Sequence, residues 1–228
     1  MGAVESNPFR KAGRLISWRQ QVQKRPTRLI DESLICTILA EQKTDTVLGL
    51  QNAALLSFLF GGGLRRGEVV RIKIRDLSFR HDRLCSVTLT RTKAGKVQTQ
   101  LLPAWAARPI GKLIAARVGD GATPDDFLFV SSWGRPMCDY TLYRHYKNIL
   151  AKYGVTAAPH SARASACTTL LRSGVSQHDA AIFLRHSTTQ QVQMYDKRDR
   201  EVEQNPGRFI QYNVRKKVQR KRKKSVAT

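Results

Sequence analysis

The chain has 228 residues and carries 40 Lys and Arg against 17 Asp and Glu, which gives a formal net charge of +23 at pH 7. This length can bury the core of one domain or of two small ones. The sequence has no apolar run of the roughly 18 residues that a membrane-spanning helix needs, and it begins without the apolar stretch of a secretory signal. We therefore expect a cytoplasmic protein that is not bound to a membrane, associated with the nucleoid if its source is prokaryotic.

The positive charge indicates a polyanionic partner. Basic side chains that neutralise phosphates release the counterions condensed on them, and this release drives binding to nucleic acid. The sequence lacks a basic amphipathic helix with a wide apolar face, so nucleic acid fits better than a membrane surface. Charge alone would also fit a basic ribosome- or RNA-associated protein, or a soluble basic protein with no such partner.

The cysteines are Cys36, Cys85, Cys138 and Cys167, and they show none of the close spacings that bind zinc. We expect reduced thiols of a cytosolic protein rather than disulfides or metal ligands. No metal and no cofactor are expected.

The first half of the chain predicts helices. Residues 1–27 are polar and basic, and are expected to form a helix or linker. Asp31 can cap a first helix through "ESLICTILAEQ". Thr44 or Asp45 can cap a second, strongly apolar helix, "TDTVLGLQNAALLSFLF", which the cluster "GGG" ends. A short helix is expected at the start of "GEVVRIKIRDLSF".

A small antiparallel sheet is predicted next, with Arg71 to Asp76 leading into it. "RLCSVTLTRT" alternates and is rich in β-branched residues, which is typical of a strand. "KAGK" has Gly in a hairpin turn, and "VQTQLLP" is the returning strand, closed by Pro103.

Helices are predicted again towards the carboxyl end. Pro109 should lie near the first turn of "PIGKLIAARVG". "DFLFVS" is a short strand or extended segment, and Asp139 should cap the amphipathic helix "DYTLYRHYKNILAKYG". "HSARASACTTLLRSG" is a helix ending at Gly174, and Ser176 should cap the helix "SQHDAAIFLRH". A short helical segment then carries Tyr195.

The pattern as a whole predicts a mainly helical α+β domain over residues 28–214 with one small antiparallel sheet. The basic segment 1–27 precedes it and a basic tail, 215–228, follows it. The tail contains "RKKVQRKRKK", in which eight of ten residues are basic. Such a block is expected to bind phosphates non-specifically or, in a eukaryote, to act as a localisation signal.

Several polar side chains along this pattern are suited to binding a phosphate. Arg65 and Arg66 follow the Gly cluster, where the backbone can approach a ligand and an Arg fork can bind an anion. Lys93, with Lys96 as a rival, lies in the hairpin turn. His160 and Arg163 lie near a helix N-terminus, which favours anions. His186 at a helix end and Tyr195 complete the set, although each residue alone also has an ordinary structural interpretation.

The order and spacing of these residues resemble the catalytic domain of the tyrosine recombinase, or phage integrase, family. "GLRRGEV" is similar to its first box, Gly-Leu-Arg with Glu three residues later, and "TKAGK" to its hairpin lysine. "HSARASACTTLLRSG" resembles its His-x-x-Arg helix. "FLRHSTTQQVQMY" resembles its final box, in which His precedes the nucleophilic Tyr by nine residues. The match covers roughly residues 28–200.

The resemblance implies DNA strand cleavage and rejoining without a metal, as in the integration of mobile genetic elements. Tyr195 would attack the phosphodiester, giving a 3′-phosphotyrosyl link and a free 5′-hydroxyl. Arg65 and Arg163 would clamp the phosphate, and His160 would assist proton transfer from the nucleophile. His186 would hydrogen-bond a nonbridging oxygen, and Lys93 would protonate the leaving oxygen. Glu68 would support the site.

Two features depart from the family. Arg185 stands before the second His, where the family usually has Gly. The family also usually carries a helical core-binding domain upstream, whereas about 27 residues precede the match here. The chain is then either a fragment or a minimal member that binds DNA with its catalytic domain and tails.

The resemblance further implies double-stranded DNA as the partner and a homo-oligomer, a tetramer on two duplexes. The segment after Tyr195 has apolar residues suited to docking on a neighbouring protomer or packing on their own domain, namely Phe209, Ile210, Tyr212 and Val214. A type IB topoisomerase and a non-catalytic DNA-binding regulator on the same fold remain alternatives. Products distinguish the first, and the absence of a covalent adduct would distinguish the second.

Overall fold

The computed structural model describes residues 27–80, 83–90, 97–186, 189–193 and 195. These residues belong to two compact units, one that extends to Thr169 and one that begins at Leu170. The amino-terminal segment 1–26, the hairpin turn with its lysines and the basic tail lie outside the described residues.

The first two helices follow the prediction except at one cap. Helix α1 spans Glu32–Ala40, and Asp31 caps it by accepting a hydrogen bond from the Ser33 amide at 2.9 Å. Helix α2 spans Val47–Leu56, and its cap is Thr46, which accepts from the Gly49 amide at 3.1 Å.

The predicted cap of α2, Thr44 or Asp45, is therefore wrong. The chain before α2 folds back over the first helical turn, so that a Cβ on Gly49 would lie 2.0 Å from the Lys43 carbonyl oxygen. Because Lys43 lies this close to the first turn, the helix begins only at Val47, and the cap moves to the residue before it.

The Gly cluster ends α2, as predicted. The helix widens into a π-helical turn, Ser57–Gly61, before it stops. A Cβ on Gly62 would lie 2.5 Å from the Leu64 side chain, and Gly63 has a φ of +58°, which favours glycine. The short helix α3, Arg66–Val69, begins three residues after Gly63.

Among the described residues, the sheet has three antiparallel strands in the order β1-β2-β3. After a 3-10 turn at Ile74–Asp76, β1 spans Leu77–Arg80, β2 spans Arg83–Leu89 and β3 spans Gln98–Leu101. Leu77 pairs with Val87, which pairs in turn with Gln100, and all three are buried. This face of the sheet therefore packs on the core.

Helix α4 begins earlier than predicted. It spans Ala104–Gly119, so Pro109 lies inside the helix rather than near its first turn. Pro103 is the N-cap and precedes the helix with an extended backbone. Ala106, Ile110 and Leu113 recur on one face and are all fully buried, and this packing outweighs the backbone hydrogen bond that Pro109 cannot donate.

The segment "DFLFVS" is extended, as one of its two predicted forms. It makes isolated bridges, Phe127 to Lys73 and Val130 to Pro136, and does not join the sheet. Helix α5 then spans Asp139–Ala151, and its N-cap is Cys138. Asp139 is thus the first helical residue and not the cap, and its carboxylate pairs with Arg66.

Helix α6 spans Pro159–Arg172 and lies across the boundary between the two units. Its Ser165 hydroxyl accepts from the Ile30 amide at 3.0 Å, which ties the start of the described chain to α6. In the second unit, α7 spans Gln177–Phe183 with Ser176 as its cap, as predicted. Helix α8 spans Gln190–Gln193 and precedes Tyr195.

Helix α7 ends in an unusual way at Arg185. Its φ of +54° is the left-handed conformation, and its amide and that of His186 donate to the carbonyls of Ile182 and Ala181, each at 2.9 Å. Three other helices end with the same pair of bonds, and there a glycine takes this position: Gly121, Gly154 and Gly174. Arg185 therefore occupies a position suited to Gly, and a residue with a Cβ strains the backbone there.

The fold class is confirmed: the described residues form a mainly helical α+β structure with one small antiparallel sheet. Within the described ranges, no helix is both long and apolar enough to cross a bilayer.

The variant Arg185→Gly is expected to raise the free energy of unfolding by about 0.5–1 kcal/mol. It removes a left-handed strain of about 1–2 kcal/mol, partly offset by the greater freedom of glycine in the unfolded chain. Urea unfolding of the wild type and the variant measures the difference. Gly174→Ala, at the matching end of α6, is the control and should lower stability; a loss of stability in Arg185→Gly would contradict this account.

Candidate active site

A cleft of about 330 Å³ lies in the first unit, where the amino-terminal parts of α3, α5 and α6 meet. Three of the six residues that the sequence singled out line it: Arg65, His160 and Arg163. They come from the start of α3 and from the first two turns of α6. The cleft therefore brings two guanidinium groups and one imidazole together from positions about a hundred residues apart in the chain.

Arg163 holds the loop that carries Arg65. It is 2% exposed, and its guanidinium donates a hydrogen bond to the carbonyl of Gly63. Gly63 can turn its carbonyl towards α6 because it adopts a φ of +58°. A guanidinium has five N–H donors, so a bond to Gly63 is compatible with binding a phosphate as well.

Glu68 fixes the position of Arg65. Its carboxylate accepts from the Arg65 backbone amide at 2.7 Å and from the Arg65 guanidinium at 2.9 Å. The Glu68 side chain is 4% exposed and that of Arg65 is 31% exposed, so the pair is buried at the carboxylate and open at the guanidinium. The hydrogen bond from the amide fixes the first turn of α3, and the ion pair limits the rotamers of Arg65.

His160 lies at the second position of α6, just after Pro159. Desolvation, followed by the positive charges of Arg163 and Arg65, lowers the pKa of its imidazole below the ordinary value for histidine. A neutral imidazole is therefore favoured at neutral pH, and only this form can accept a proton.

The remaining predicted residues are not placed in this cleft. Lys93 and its rival Lys96 lie outside the described residues. His186 and Tyr195 belong to the second unit, where His186 is half-buried and Tyr195 is 7% exposed. The backbone amide of His186 is fixed by its bond to the carbonyl of Ala181.

Two polar cleft residues, Asp139 and Tyr143, were not predicted as part of the site, and Arg66 was considered with Arg65 as a phosphate ligand but was not among the six. The Arg66 guanidinium lies 2.6 Å from the Asp139 carboxylate and 5.5 Å above the centre of the Tyr143 ring. The available signal was that Asp139 and Tyr143 are four residues apart in one helix and so share a face. The 72 residues between Arg66 and Asp139 gave no sign that this face meets α3.

Among the residues that the structure describes, no group of three or more His, Cys, Asp or Glu side chains could hold a metal ion. The thiols of Cys36 and Cys138 are exposed, and that of Cys167 is buried. The polar groups of the cleft are dominated by cationic donors, which suit an anion.

The protein resembles solved recombinase structures. The crystal structure of XerA recombinase superposes with a TM-score of 0.64 at 21% identity, covering 81% of this chain and 67% of that one. The XerH site-specific recombinase bound to its difH substrate, in a post-cleavage complex, gives 0.63 at 18% identity and covers 75% and 49%. The fold is thus that of the catalytic domain of tyrosine recombinases.

Sequence comparisons agree with the fold. Tyrosine recombinase XerD of Pseudomonas aeruginosa is 27% identical over 179 residues, which are 77% of this chain and 59% of that protein. Tyrosine recombinase XerC of Myxococcus xanthus is 30% identical over 168 residues, or 71% and 55%. The chain therefore spans less than two thirds of the length of these curated relatives.

The model of the phage integrase family matches residues 28–201, which is most of the chain. This chain belongs to the phage integrase family.

The imidazole of His160 is expected to titrate below about pH 6.5, the ordinary value for histidine. Removing a nearby positive charge with Arg65→Gln should move the midpoint upwards. NMR of the ring protons as a function of pH measures both midpoints. Because the folded chain binds this proton more weakly than the unfolded chain, stability should also fall as the pH drops through the ordinary histidine range. A titration midpoint of His160 that is unchanged in Arg65→Gln would show that the charge of Arg65 does not act on this imidazole.

Proposed function

We propose that this protein is a site-specific DNA recombinase that cleaves and rejoins strands through a 3′-phosphotyrosyl intermediate. The observation that carries the proposal is the cleft that Arg65, His160 and Arg163 line together. The two guanidinium groups can bind a phosphodiester, and the neutral imidazole can accept a proton from the hydroxyl group that attacks it.

The cleavage step begins when the Tyr195 hydroxyl oxygen attacks the scissile phosphorus. A bond forms between that oxygen and phosphorus, and the bond from phosphorus to the 5′-oxygen breaks. The phenol proton passes to His160, and Lys93 gives a proton to the departing 5′-oxygen. The phosphotyrosyl ester conserves the bond energy, so that a 5′-hydroxyl of another strand can reverse the step without ATP.

The charges of the cleft stabilise this step. Negative charge builds on the nonbridging oxygens in the transition state, where Arg65 and Arg163 supply donors, and His186 adds a hydrogen bond. Desolvation, followed by the same positive charges, lowers the pKa of His160 and keeps its imidazole neutral and able to accept the proton. Removing one such donor from a site of this kind typically slows the reaction by about 10²–10³.

Double-stranded DNA is the proposed substrate, and a tetramer on two duplexes is the proposed assembly. The net charge of +23 supports a DNA partner. The XerH neighbour is described as bound to its difH substrate. The fold similarity and the names of the relatives support strand exchange between sites, and a DNA substrate would place the protein in the cytoplasm with the nucleoid.

Tyr195→Phe is expected to bind DNA and to form no covalent adduct, because it lacks the attacking oxygen. The substrate is a pool of nicked duplexes with randomised sequence, in which the short strand released by cleavage diffuses away. Denaturing gels and sequencing of protein-linked DNA identify both the adduct and the target. Arg163→Lys, which keeps the charge but loses the fork, should bind DNA and cleave it slowly.

The proposal fails if the wild type forms no adduct, which would favour a DNA-binding regulator, or if Tyr195→Phe still traps DNA. A plasmid that carries two copies of the captured site then shows which product the protein forms. Recombined molecules support a recombinase, whereas relaxed circles without exchange would indicate a type IB topoisomerase.

A further inference from the structure

We propose that Arg66 binds the phosphate next to the scissile one, and that Asp139 and Tyr143 are positioning residues that hold its guanidinium for this contact. The inference rests on the proposed function of the cleft as a DNA cleavage site. It assigns roles to three residues that line the cleft beside Arg65 and His160.

The guanidinium of Arg66 is fixed from two directions and still accessible. Asp139 accepts at 2.6 Å from the terminal nitrogen, and the Tyr143 ring lies 5.5 Å below the guanidinium carbon. The Arg66 side chain is 40% exposed. Because a planar guanidinium offers five donors in a fixed fork, it can bind the carboxylate on one edge and a phosphate on another.

A purely structural purpose accounts poorly for this arrangement. An ion pair between partly exposed side chains contributes little to stability. The second carboxylate oxygen of Asp139 is buried and has no hydrogen-bond partner within the described part of the chain, which is unfavourable for folding. A pair that stabilises weakly and leaves an acceptor unsatisfied is better explained by the cation that it orients.

Fixing the side chain in advance has a direct benefit for binding. A free arginine loses rotamer freedom when it binds a phosphate, and this loss weakens the contact. The carboxylate and the ring restrict Arg66 before DNA arrives. Arg65 and Arg66 are consecutive residues at one cleft, so together they can reach consecutive phosphates of one strand.

The ion pair with Arg66 also explains how the negative side chain of Asp139 is tolerated in a cleft for a phosphodiester. Its charge is compensated by Arg66, so that it orients the cation without repelling the DNA strongly. Replacing it by an uncharged amide should leave the cation of Arg66 in place but less constrained. Binding should then persist, while the geometry needed for cleavage is lost.

The first experiment measures binding of the captured target duplex on a Tyr195→Phe background as a function of salt. Arg66→Gln should reduce the slope of log K against log salt by about 1, the value for one lost phosphate contact. A scan in which single phosphates are made neutral as methylphosphonates locates the contact. Neutralising the phosphate next to the scissile one should weaken DNA binding by the protein that retains Arg66. It should leave DNA binding by the Arg66→Gln variant unchanged.

The matched control is Lys147→Gln. Lys147 lies 5.7 Å from the centre of the same Tyr143 ring, but it is exposed and does not line the cleft. It should retain the sensitivity to that neutral phosphate. If Lys147→Gln abolishes the sensitivity, or Arg66→Gln keeps it, Arg66 does not contact the phosphate.

The second experiment separates positioning from folding. Asp139→Asn and Tyr143→Leu should keep the salt slope and at least half of the wild-type affinity for DNA. Their single-turnover cleavage should be several-fold slower at saturating DNA. Unfolding in urea shows whether each variant is folded. Unchanged cleavage in both folded variants, or a loss of binding equal to the loss of cleavage, would overturn the positioning roles.

The outcomes also separate this inference from the proposed function. A wild type that forms no covalent adduct removes the proposed function and this inference with it. A wild type that cleaves DNA, together with an Arg66→Gln that keeps the full salt slope and the phosphate sensitivity, removes only the inference.

Discussion

The cleft depends on one buried contact, the hydrogen bond from the Arg163 guanidinium to the Gly63 carbonyl. This bond joins the first turns of α6 to the loop before α3, across 100 residues of sequence. The bond is favoured by glycine at position 63, where the backbone is left-handed with a φ of +58°. It also requires a charged side chain that is 2% exposed, which is unfavourable unless hydrogen bonds compensate for the loss of water. A structural bond and a proposed phosphate contact therefore depend on the same side chain.

The electrostatics of the cleft follow from how its carboxylates are used. Glu68 and Asp139 each hold one arginine, Arg65 and Arg66 respectively, so that the negative charges orient cations rather than oppose a phosphate. Both guanidinium groups remain accessible: Glu68 is enclosed while Arg65 is 31% exposed, and in the second pair Arg66 and Asp139 are both partly exposed. Desolvation, followed by the same concentration of positive charge, lowers the pKa of His160. Anion binding and a neutral imidazole are thus two results of one arrangement.

The parts of the structure that the sequence predicted are those in which a local rule acts. Asp31 and Ser176 are caps because their side chains reach amides two or three residues later. Arg65, His160 and Arg163 were identified from the spacing of the motifs, and the structure places them in one cleft.

What the sequence did not predict depends on contacts between distant residues. The cap of α2 moved because Lys43 packs against the first turn, and Pro109 lies within α4 because the buried face of that helix outweighs one missing hydrogen bond. The pairing of Arg66 with Asp139 requires α3 and α5 to meet, which no local pattern encodes. Arg185 was recognised as a departure from the family, but its strain is visible only in the backbone angle.

The cleft is proposed to neutralise the charge of a scissile phosphodiester. The most direct measurement compares single-turnover cleavage by the wild type and Arg65→Ala on two duplexes, one with an ordinary scissile phosphate and one with a neutral methylphosphonate there. On the ordinary duplex, Arg65→Ala should be slower by about 10²–10³, the typical effect of one such donor. On the neutral duplex the two proteins should cleave at similar rates, because no nonbridging charge needs the guanidinium. An equal deficit on both duplexes would contradict the claim.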